Sequence, residues 1–232
     1  MKPNAPTIPC RLCGSERVRP YSRDARREFF HCEVCGLVFV PPHQFLSLIE
    51  EKKRYDLHQN SPRDPGYRGF LSRLFIPMQR RLAPGSSGLD FGSGPVPALA
   101  LMFEEAGHPM TLYDRHYAPA PAALDKQYDF IAAAEVVEHL HEPKRELDQL
   151  WQCLNPGGTL GIMTKFIVGR DAFPRWHYKN DRTHVCFFSQ PPFSWLAGQW
   201  DAEAIYPEHD VVLLRKRPAG RAAIAGQEKI VS

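Results

Sequence analysis

The sequence of 232 residues predicts an α/β fold, a mostly parallel sheet alternating with helices, preceded by a small metal-stabilised module. Three observations predict this. Two Cys-x-x-Cys pairs lie within the first 40 residues, an apolar segment runs into a glycine-rich turn at residues 89–95, and short apolar segments then alternate with helical patterns. Such alternation is typical of parallel sheets with helical crossovers. With 43% hydrophobic residues, the chain can bury one sizeable core beside one small module.

The small module is predicted from four cysteines. Cys10 pairs with Cys13 and Cys32 with Cys35, and a glycine after each pair lets the backbone curl around a metal. Eighteen residues separate the pairs, a spacing expected of a four-cysteine zinc site, and four thiolates make such zinc structural. Disulfides or a redox pair are the alternatives. Because no apolar signal segment follows the opening Met-Lys-Pro-Asn, we expect a cytoplasmic protein with reduced thiols.

The segment from Leu89 to Pro95 predicts a strand that turns sharply into a helix over residues 98–105. Gly92 and Gly94 let the backbone approach a ligand closely, and the amides that open the helix favour a carboxylate or a phosphate. Asp90 stands two positions before the first glycine, which differs from ordinary dinucleotide-binding turns. The turn is therefore a candidate cofactor site.

Alternating elements continue after this turn. A short apolar strand ends on Asp114, about twenty residues past the glycines, where an acid at a strand end can meet ribose hydroxyls. A third strand ends on Glu135. Further along, the patterns predict an amphipathic helix over 143–154, a turn over 155–158, a strand over 159–164, and a hairpin of segments 202–206 and 210–215.

This order of motifs resembles the class I S-adenosylmethionine (SAM)-dependent methyltransferases. The likeness rests on the Asp-x-Gly-x-Gly turn, the Glu-His-Leu at residues 138–140, the Asn-Pro-Gly-Gly before the fifth strand and the terminal hairpin. It implies a Rossmann-like methyltransferase sheet with an antiparallel terminal hairpin, where Asp90 serves the amino end of SAM and Asp114 its ribose. Val96 replaces the family's usual third glycine. The implied SAM-binding residues are Asp90, Gly92, Gly94, Asp114 and Glu135.

One departure from the family lies between Asp114 and Tyr128. These thirteen intervening residues include two prolines and cannot hold a helix and a strand of ordinary length. We therefore expect an abbreviated crossover after the second strand. Asp125 is the one acid within it, and we do not expect it to reach the adenine.

Residues 173–189 are the predicted acceptor region because they concentrate aromatic, acidic and imidazole groups. They resemble an Asp-x-Thr-His-x-x-Phe-Phe-Ser signature in a broad group of methyltransferases, several with an amino-terminal zinc ribbon. His184 is the predicted catalytic base, since an imidazole titrates near neutrality, and Asp181 is predicted to orient its ring. The alternative is that both residues only brace the loop. Four aromatic residues are predicted to wall the acceptor pocket, with a core role as the alternative for the two phenylalanines: Trp176, Tyr178, Phe187 and Phe188.

Four segments follow: a zinc ribbon over 1–40, a helical linker over 41–83, a SAM-dependent methyltransferase domain over 84–217 and a flexible tail over 218–232. A polar and aromatic stretch of the linker, from Tyr55 to Tyr67, is interpreted either as a lid over SAM or as a surface connection. It contains His58, which is an alternative base together with His139 and His177.

The predicted function is methyl transfer from SAM to a small-molecule acceptor. A net charge of +3 is too small to indicate nucleic-acid binding, and acids interleave with the arginines of the zinc module, which we expect on a solvated surface. No apolar run has membrane-spanning length. The alternatives are a non-catalytic zinc-ribbon binding module on a degenerate methyltransferase fold, an RNA or protein methyltransferase docked by the ribbon, and a nicotinamide-dependent oxidoreductase. The oxidoreductase would not explain the Glu-His pair or the terminal hairpin.

Overall fold

The computed structural model describes residues 8–57 and 61–218, so His58 and nearly all of the predicted tail lie outside the described residues. Within those two ranges, no helix is long and apolar enough to cross a membrane. The strands and α-helices are, in chain order, β1 (Val18–Arg23), β2 (Glu28–Cys32), β3 (Val38–Phe39), α1 (Leu48–Tyr55), α2 (Pro65–Gln79), β4 (Gly88–Phe91), α3 (Ala98–Glu105), β5 (Met110–Tyr113), β6 (Tyr128–Ala134), α4 (Pro143–Gln152), β7 (Leu154–Met163), β8 (Cys186–Phe187), α5 (Gln190–Trp200), β9 (Glu203–Glu208) and β10 (Val211–Arg215).

A six-stranded sheet in the order β5-β4-β6-β7-β10-β9 forms the body of the protein. The first four of these strands run parallel, and β10 pairs antiparallel with both β7 and β9. This arrangement confirms the predicted Rossmann-like sheet with its antiparallel terminal hairpin. Because the strands are parallel, the carboxyl ends of β4, β5 and β6 meet at one edge, where the site described below lies.

Both faces of this sheet are buried, as a parallel sheet between helices requires. Phe130 and Ala132 of β6 pack with α2 and α3, whereas Ile131 and Ala133 face the cluster that includes α4 and α5. Successive strand residues thus point to opposite faces. The near-continuous apolar run of β6 follows from this double burial.

The crossover from β5 to β6 is abbreviated, as predicted. It contains a short 3-10 turn at Pro121–Asp125, and no strand among the described residues pairs with the outer side of β5. Asp125 is exposed, away from the carboxyl edge of the sheet. The sheet therefore ends at β5.

The Asn-Pro-Gly-Gly segment differs from its expected form. Leu154 already pairs with Tyr128, and regular pairing resumes where Thr159 meets Phe130, so residues 155–158 form a bulge inside β7. Gly157 has a φ of +83°, which suits glycine because it lacks a Cβ. The chain consequently enters β7 at once after α4, without a separate turn.

The zinc module contributes three strands of a second sheet, and the fourth strand is β8, almost 150 residues later in the chain. The order is β1-β2-β3-β8, with Val38 opposite Phe187 and Phe39 opposite Cys186. Phe187 and Phe188 are fully buried, so they belong to the core, which was the alternative to a pocket wall. The module is thus joined by main-chain pairing to the end of the predicted acceptor region.

Candidate functional site

A cavity of about 510 Å³ opens at the carboxyl ends of β4, β5 and β6. Predicted SAM-binding and catalytic residues line the same cavity, which supports their prediction as one site. These lining residues are Gly92, Gly94, Asp114, Glu135, Asp181 and His184.

The two glycines of the turn serve different purposes. Both have left-handed backbone, with φ of +76° at Gly92 and +63° at Gly94. A Cβ on Gly92 would lie 2.4 Å from Cγ2 of Val136, so this glycine is required by packing within the protein. A Cβ on Gly94 would meet nothing within 4 Å. Gly94 therefore leaves free space for a ligand.

The carboxylate of Asp114 fastens the end of β5 to this turn. Its Oδ2 accepts a hydrogen bond from the Gly94 amide at 2.9 Å, and Oδ1 accepts from the amides of His116 at 2.7 Å and Tyr117 at 3.0 Å. A carboxylate has about four acceptor positions, so it keeps capacity for a ligand hydroxyl. This placement agrees with the predicted ribose contact.

Asp90 lies behind the turn, outside the lining of the cavity. Its side chain is 3% exposed, and Oδ2 accepts a hydrogen bond from the Ala100 amide of α3 at 3.2 Å. Burial raises the pKa of Asp90 to about 7. Asp90 joins the glycine turn to the following helix, and its contact with the amino end of SAM stays a prediction.

Glu135 occupies a strained position at the end of β6. Its φ is +54°, which is uncommon for a residue other than glycine, and its buried Oε1 has no hydrogen-bond partner among the described residues. Burial, followed by the negative charge of Glu138, raises the pKa of Glu135 to about 8. Strain and an unpartnered carboxyl together are typical of a functional position.

Glu138 also lines the cavity, and its role was not predicted from the sequence. The side chain is fully buried, Oε2 accepts a hydrogen bond from Thr164 Oγ1 at 2.9 Å, and Oε1 accepts one from the Tyr178 hydroxyl. Burial raises the pKa of Glu138 to about 7. The sequence signal was its place beside His139 directly after an apolar strand.

Two histidines stand next to this carboxyl with their rings 4.7 Å apart. Nδ1 of His184 lies 2.7 Å from the carbonyl oxygen of Tyr178, and Nδ1 of His139 lies 3.2 Å from that of Thr183. A carbonyl only accepts, so each Nδ1 carries the hydrogen and each Nε2 the lone pair. Burial lowers the pKa of both, that of His184 to about 3. Both imidazoles are therefore neutral at pH 7.

Asp181 was expected to orient the His184 ring, but its side chain makes no hydrogen bond to that ring. Its Oδ1 accepts from the Thr183 amide at 2.9 Å and from Thr183 Oγ1 at 2.8 Å. The physical reason is local, because an aspartate readily bonds the backbone two residues ahead. The Tyr178 carbonyl orients His184 instead, and the charge of Asp181 only offsets part of the lowering of its pKa.

The linker covers one side of the cavity. Tyr55 of α1 packs edge-on against His139 at 5.3 Å, and the next residue, Asp56, accepts a hydrogen bond from the Tyr117 hydroxyl at 2.7 Å. Tyr67 and Phe70 of α2 also line the cavity. These contacts place the described part of the linker against the cavity, and its role as a lid over SAM stays a prediction.

The four predicted zinc ligands lie together at the start of the chain. Their Sγ atoms all lie within 4.8 Å of one another, with 3.5 Å between Cys10 and Cys35 and 3.4 Å between Cys13 and Cys32. The hydrogen bond from the Cys35 thiol holds the pKa of Cys10 well below its usual range. This compact donor set is compatible with tetrahedral zinc.

Arg27 connects the zinc module to the predicted acceptor region, a contact that the sequence did not predict. We expected the arginines of the module in solvent, but Arg27 is 4% exposed. Its guanidinium donates to the main-chain carbonyls of His184 at 2.8 Å, of Asp181 at 3.1 Å and of Lys179. The module therefore holds the loop that carries His184.

Comparisons with known proteins concern the family and the fold. A family model described as a methyltransferase domain matches residues 61–205, more than half of the chain. The PH0226 protein of Pyrococcus horikoshii superposes with a TM-score of 0.50 at 14% identity, covering 72% of this chain and 98% of that one. No match is found among curated proteins.

Two further solved structures are similar to part of this chain. Human N-acetylserotonin methyltransferase in complex with SAM gives a TM-score of 0.47 at 15% identity, over 66% of this chain and 54% of that one. A SAM-dependent methyltransferase of Thermotoga maritima gives 0.40 at 16% identity, over 66% and 95%. At 14% identity the Pyrococcus horikoshii structure indicates the fold alone, whereas the family match covers most of the sheet and the cavity. The chain belongs to the methyltransferase-domain family and is a SAM-dependent methyltransferase.

Proposed function

We propose that the protein methylates a small molecule that enters the cavity opposite the glycine turn. The observation that carries this proposal is that one cavity is lined by two unlike groups of residues. One group is the glycine turn with Asp114, and the other is Glu138, His139 and His184. Its volume of about 510 Å³ lies within the range of small-molecule sites, roughly 300–1,000 Å³.

SAM would lie over Gly92 and Gly94, with its ribose on Asp114 and with Glu135 close to its polar groups. The free space at Gly94 and the spare acceptor capacity of Asp114 support this placement. Asp90 would act from behind the turn, through its bond to α3. The methyl group would then face the side of the cavity that holds Glu138.

Methyl transfer is a displacement at the sulfonium methyl, and much of the acceleration comes from holding acceptor and methyl in line. A hydroxyl or acidic carbon must also lose a proton. His184 stays our first candidate base, because its neutral Nε2 carries a lone pair on the acceptor side. Its pKa of about 3 means that it accepts a proton only from an acceptor made more acidic within the site.

The zinc ribbon would support the acceptor side. Arg27 bonds three carbonyls of the His184 loop, and Asp24 forms an ion pair with Lys179 at 3.2 Å. A ribbon used in this way is occupied by its own chain on that face. This favours a small-molecule acceptor over an RNA or a protein docked there.

Calorimetry with SAM, followed by a screen of metabolite fractions with SAM carrying a labelled methyl, tests the proposal. We expect SAM to bind and label to enter a small molecule. Label in RNA or protein would support the docking alternative, and absence of SAM binding would reject the cofactor site.

With an acceptor in hand, His184→Ala should lower kcat roughly a hundredfold with little change in SAM affinity. His209→Ala, a change at an exposed histidine in the β9–β10 turn, serves as the control. Near-normal turnover in His184→Ala would assign His184 to the scaffold.

A further inference from the structure

Two groups of described residues bring three or more metal-ligating side chains within 4.8 Å of one another. One is the four-cysteine cluster. The other consists of Glu138, His139 and His184, on the acceptor side of the cavity. Oε1 of Glu138 lies 3.9 Å from Nε2 of His139, and the two imidazole rings stand 4.7 Å apart.

The hydrogen bonds around this second group resemble those that surround a bound metal. Metal-ligating histidines almost always donate their other ring N–H to a carbonyl or carboxylate, which fixes the tautomer and the ring orientation. Nδ1 of His139 and Nδ1 of His184 each face a main-chain carbonyl in this way. Both Nε2 lone pairs are consequently left for a ligand.

The carboxylate is held in the same manner. Thr164 Oγ1 donates to one oxygen of Glu138 and the Tyr178 hydroxyl to the other, which leaves about two of its four lone pairs. A fully buried carboxylate also favours a cation as its partner. All three candidate ligands are thus oriented by neighbours before any ion binds.

We propose that Glu138, His139 and His184 bind a zinc ion, separate from the ion of the four cysteines. Two imidazoles and one carboxylate are a donor set of open catalytic zinc sites, where three protein ligands leave further positions for water or substrate. The same set also binds iron(II), but methyl transfer requires no redox step. Magnesium is disfavoured, because it prefers oxygen ligands.

This site deepens the proposed function and specifies the acceptor class, although the binding of the ion does not depend on that function. An ion at this place would hold an oxygen of the acceptor and make it more acidic, which suits a hydroxyl or an enolisable carbonyl. Nε2 of His184 cannot bind a metal and accept a proton at once. Metal content therefore separates the ligand role of His184 from the base role.

The experiment is metal analysis of the full chain, freed of metal and then titrated with Zn²⁺ or Co²⁺. We expect two ions per chain. Co²⁺ at the cysteines gives thiolate charge-transfer absorption, whereas Co²⁺ at the second site adds absorption without it. Glu138→Gln, which preserves the shape of the side chain, should weaken the second ion at least tenfold and leave the thiolate bands unchanged.

His139→Gln should lose the same ion, and His177→Ala, at another histidine of the cavity wall, should retain both. One ion per chain with intact thiolate bands would overturn the proposal, as would two ions in both Glu138→Gln and His139→Gln. SAM calorimetry on the same samples distinguishes a failure of this inference from a failure of the proposed function. SAM binding without a second ion would reject this inference and leave the proposed function standing.

Discussion

The proposed SAM side and the proposed acceptor side of the cavity are built from different kinds of contact. The SAM side comes from one stretch of chain, residues 90–135, in which consecutive strand ends carry the turn, Asp114 and Glu135. The acceptor side joins the zinc module, α1, the end of β6 and the loop at 173–184. The first side depends on local backbone geometry, and the second depends on long-range support.

The difference predicts how each side fails. Damage to the zinc module should disturb the His184 loop through Arg27 and leave the glycine turn in place. Damage to the turn should affect SAM and leave the loop in place. Substitutions on each side test this separation.

Cys32→Ser should remove the thiolate-bound zinc, because three cysteines cannot complete the tetrahedral site. We expect the zinc module to lose at least about 3 kcal/mol of stability, since metal binding supplies much of its folding free energy. Metal analysis and thermal unfolding measure both effects. Cys153→Ser, at a buried cysteine outside the cluster, is the matched control and should keep its zinc. Stoichiometric thiolate-bound zinc in Cys32→Ser would show that the ligands are wrong.

Arg27→Met should destabilise the protein by about 3 kcal/mol, because three buried carbonyls lose a charged donor. Urea unfolding measures the change, and SAM calorimetry should remain near wild type. Arg26→Met, at the exposed neighbouring residue, is the control and should change little. Equal stability of the two variants would contradict the role given to Arg27.

Asp90→Asn should change the pH dependence of stability. Burial raises the pKa of Asp90 to about 7 in the folded protein from an ordinary value of 3.8, so the folded state keeps a proton that the unfolded chain has lost. The stability that protonated Asp90 contributes to the wild type is therefore lost as pH rises from about 4 to about 7. Between pH 5 and pH 7 the wild type should lose on the order of 2 kcal/mol relative to the variant. Asp201→Asn, at an exposed aspartate, is the control and should show the same dependence of stability on pH as the wild type. If the stability of Asp90→Asn also followed the wild type across this pH range, the pKa of Asp90 would be ordinary.

Gly94→Asn should weaken SAM binding at least tenfold, about 1.4 kcal/mol, because its side chain enters the space left for the ligand. Gly107→Asn is the matched control, since Gly107 also has a left-handed φ of +88° and open space around it, but lies outside the cavity lining. Asn tolerates this backbone region better than most residues. Gly92→Val is less informative, because its side chain would collide with Val136 even without SAM. Equal SAM affinity in the Gly94 and Gly107 variants would show that SAM does not bind at the turn.

Sequence patterns predicted the strands and the turn of the proposed SAM side because each of these parts is local. The turn, the strand ending before Asp114 and the abbreviated crossover all follow from spacing within a few residues. The acceptor side was predicted only as a set of candidates. No short pattern indicates that Arg27 reaches a loop some 150 residues away or that the Tyr178 carbonyl fixes His184. Those contacts depend on how distant elements pack together.

The pairing of β3 with β8 also sets an order for folding. The cysteine cluster is complete once Cys35 has left the ribosome, but the edge of its sheet is closed only by Cys186 and Phe187. Contacts between segments so far apart in the chain form late, because a long loop must close before they are gained. The four cysteines can therefore come together early in synthesis, whereas the cavity takes shape only when most of the chain has been made.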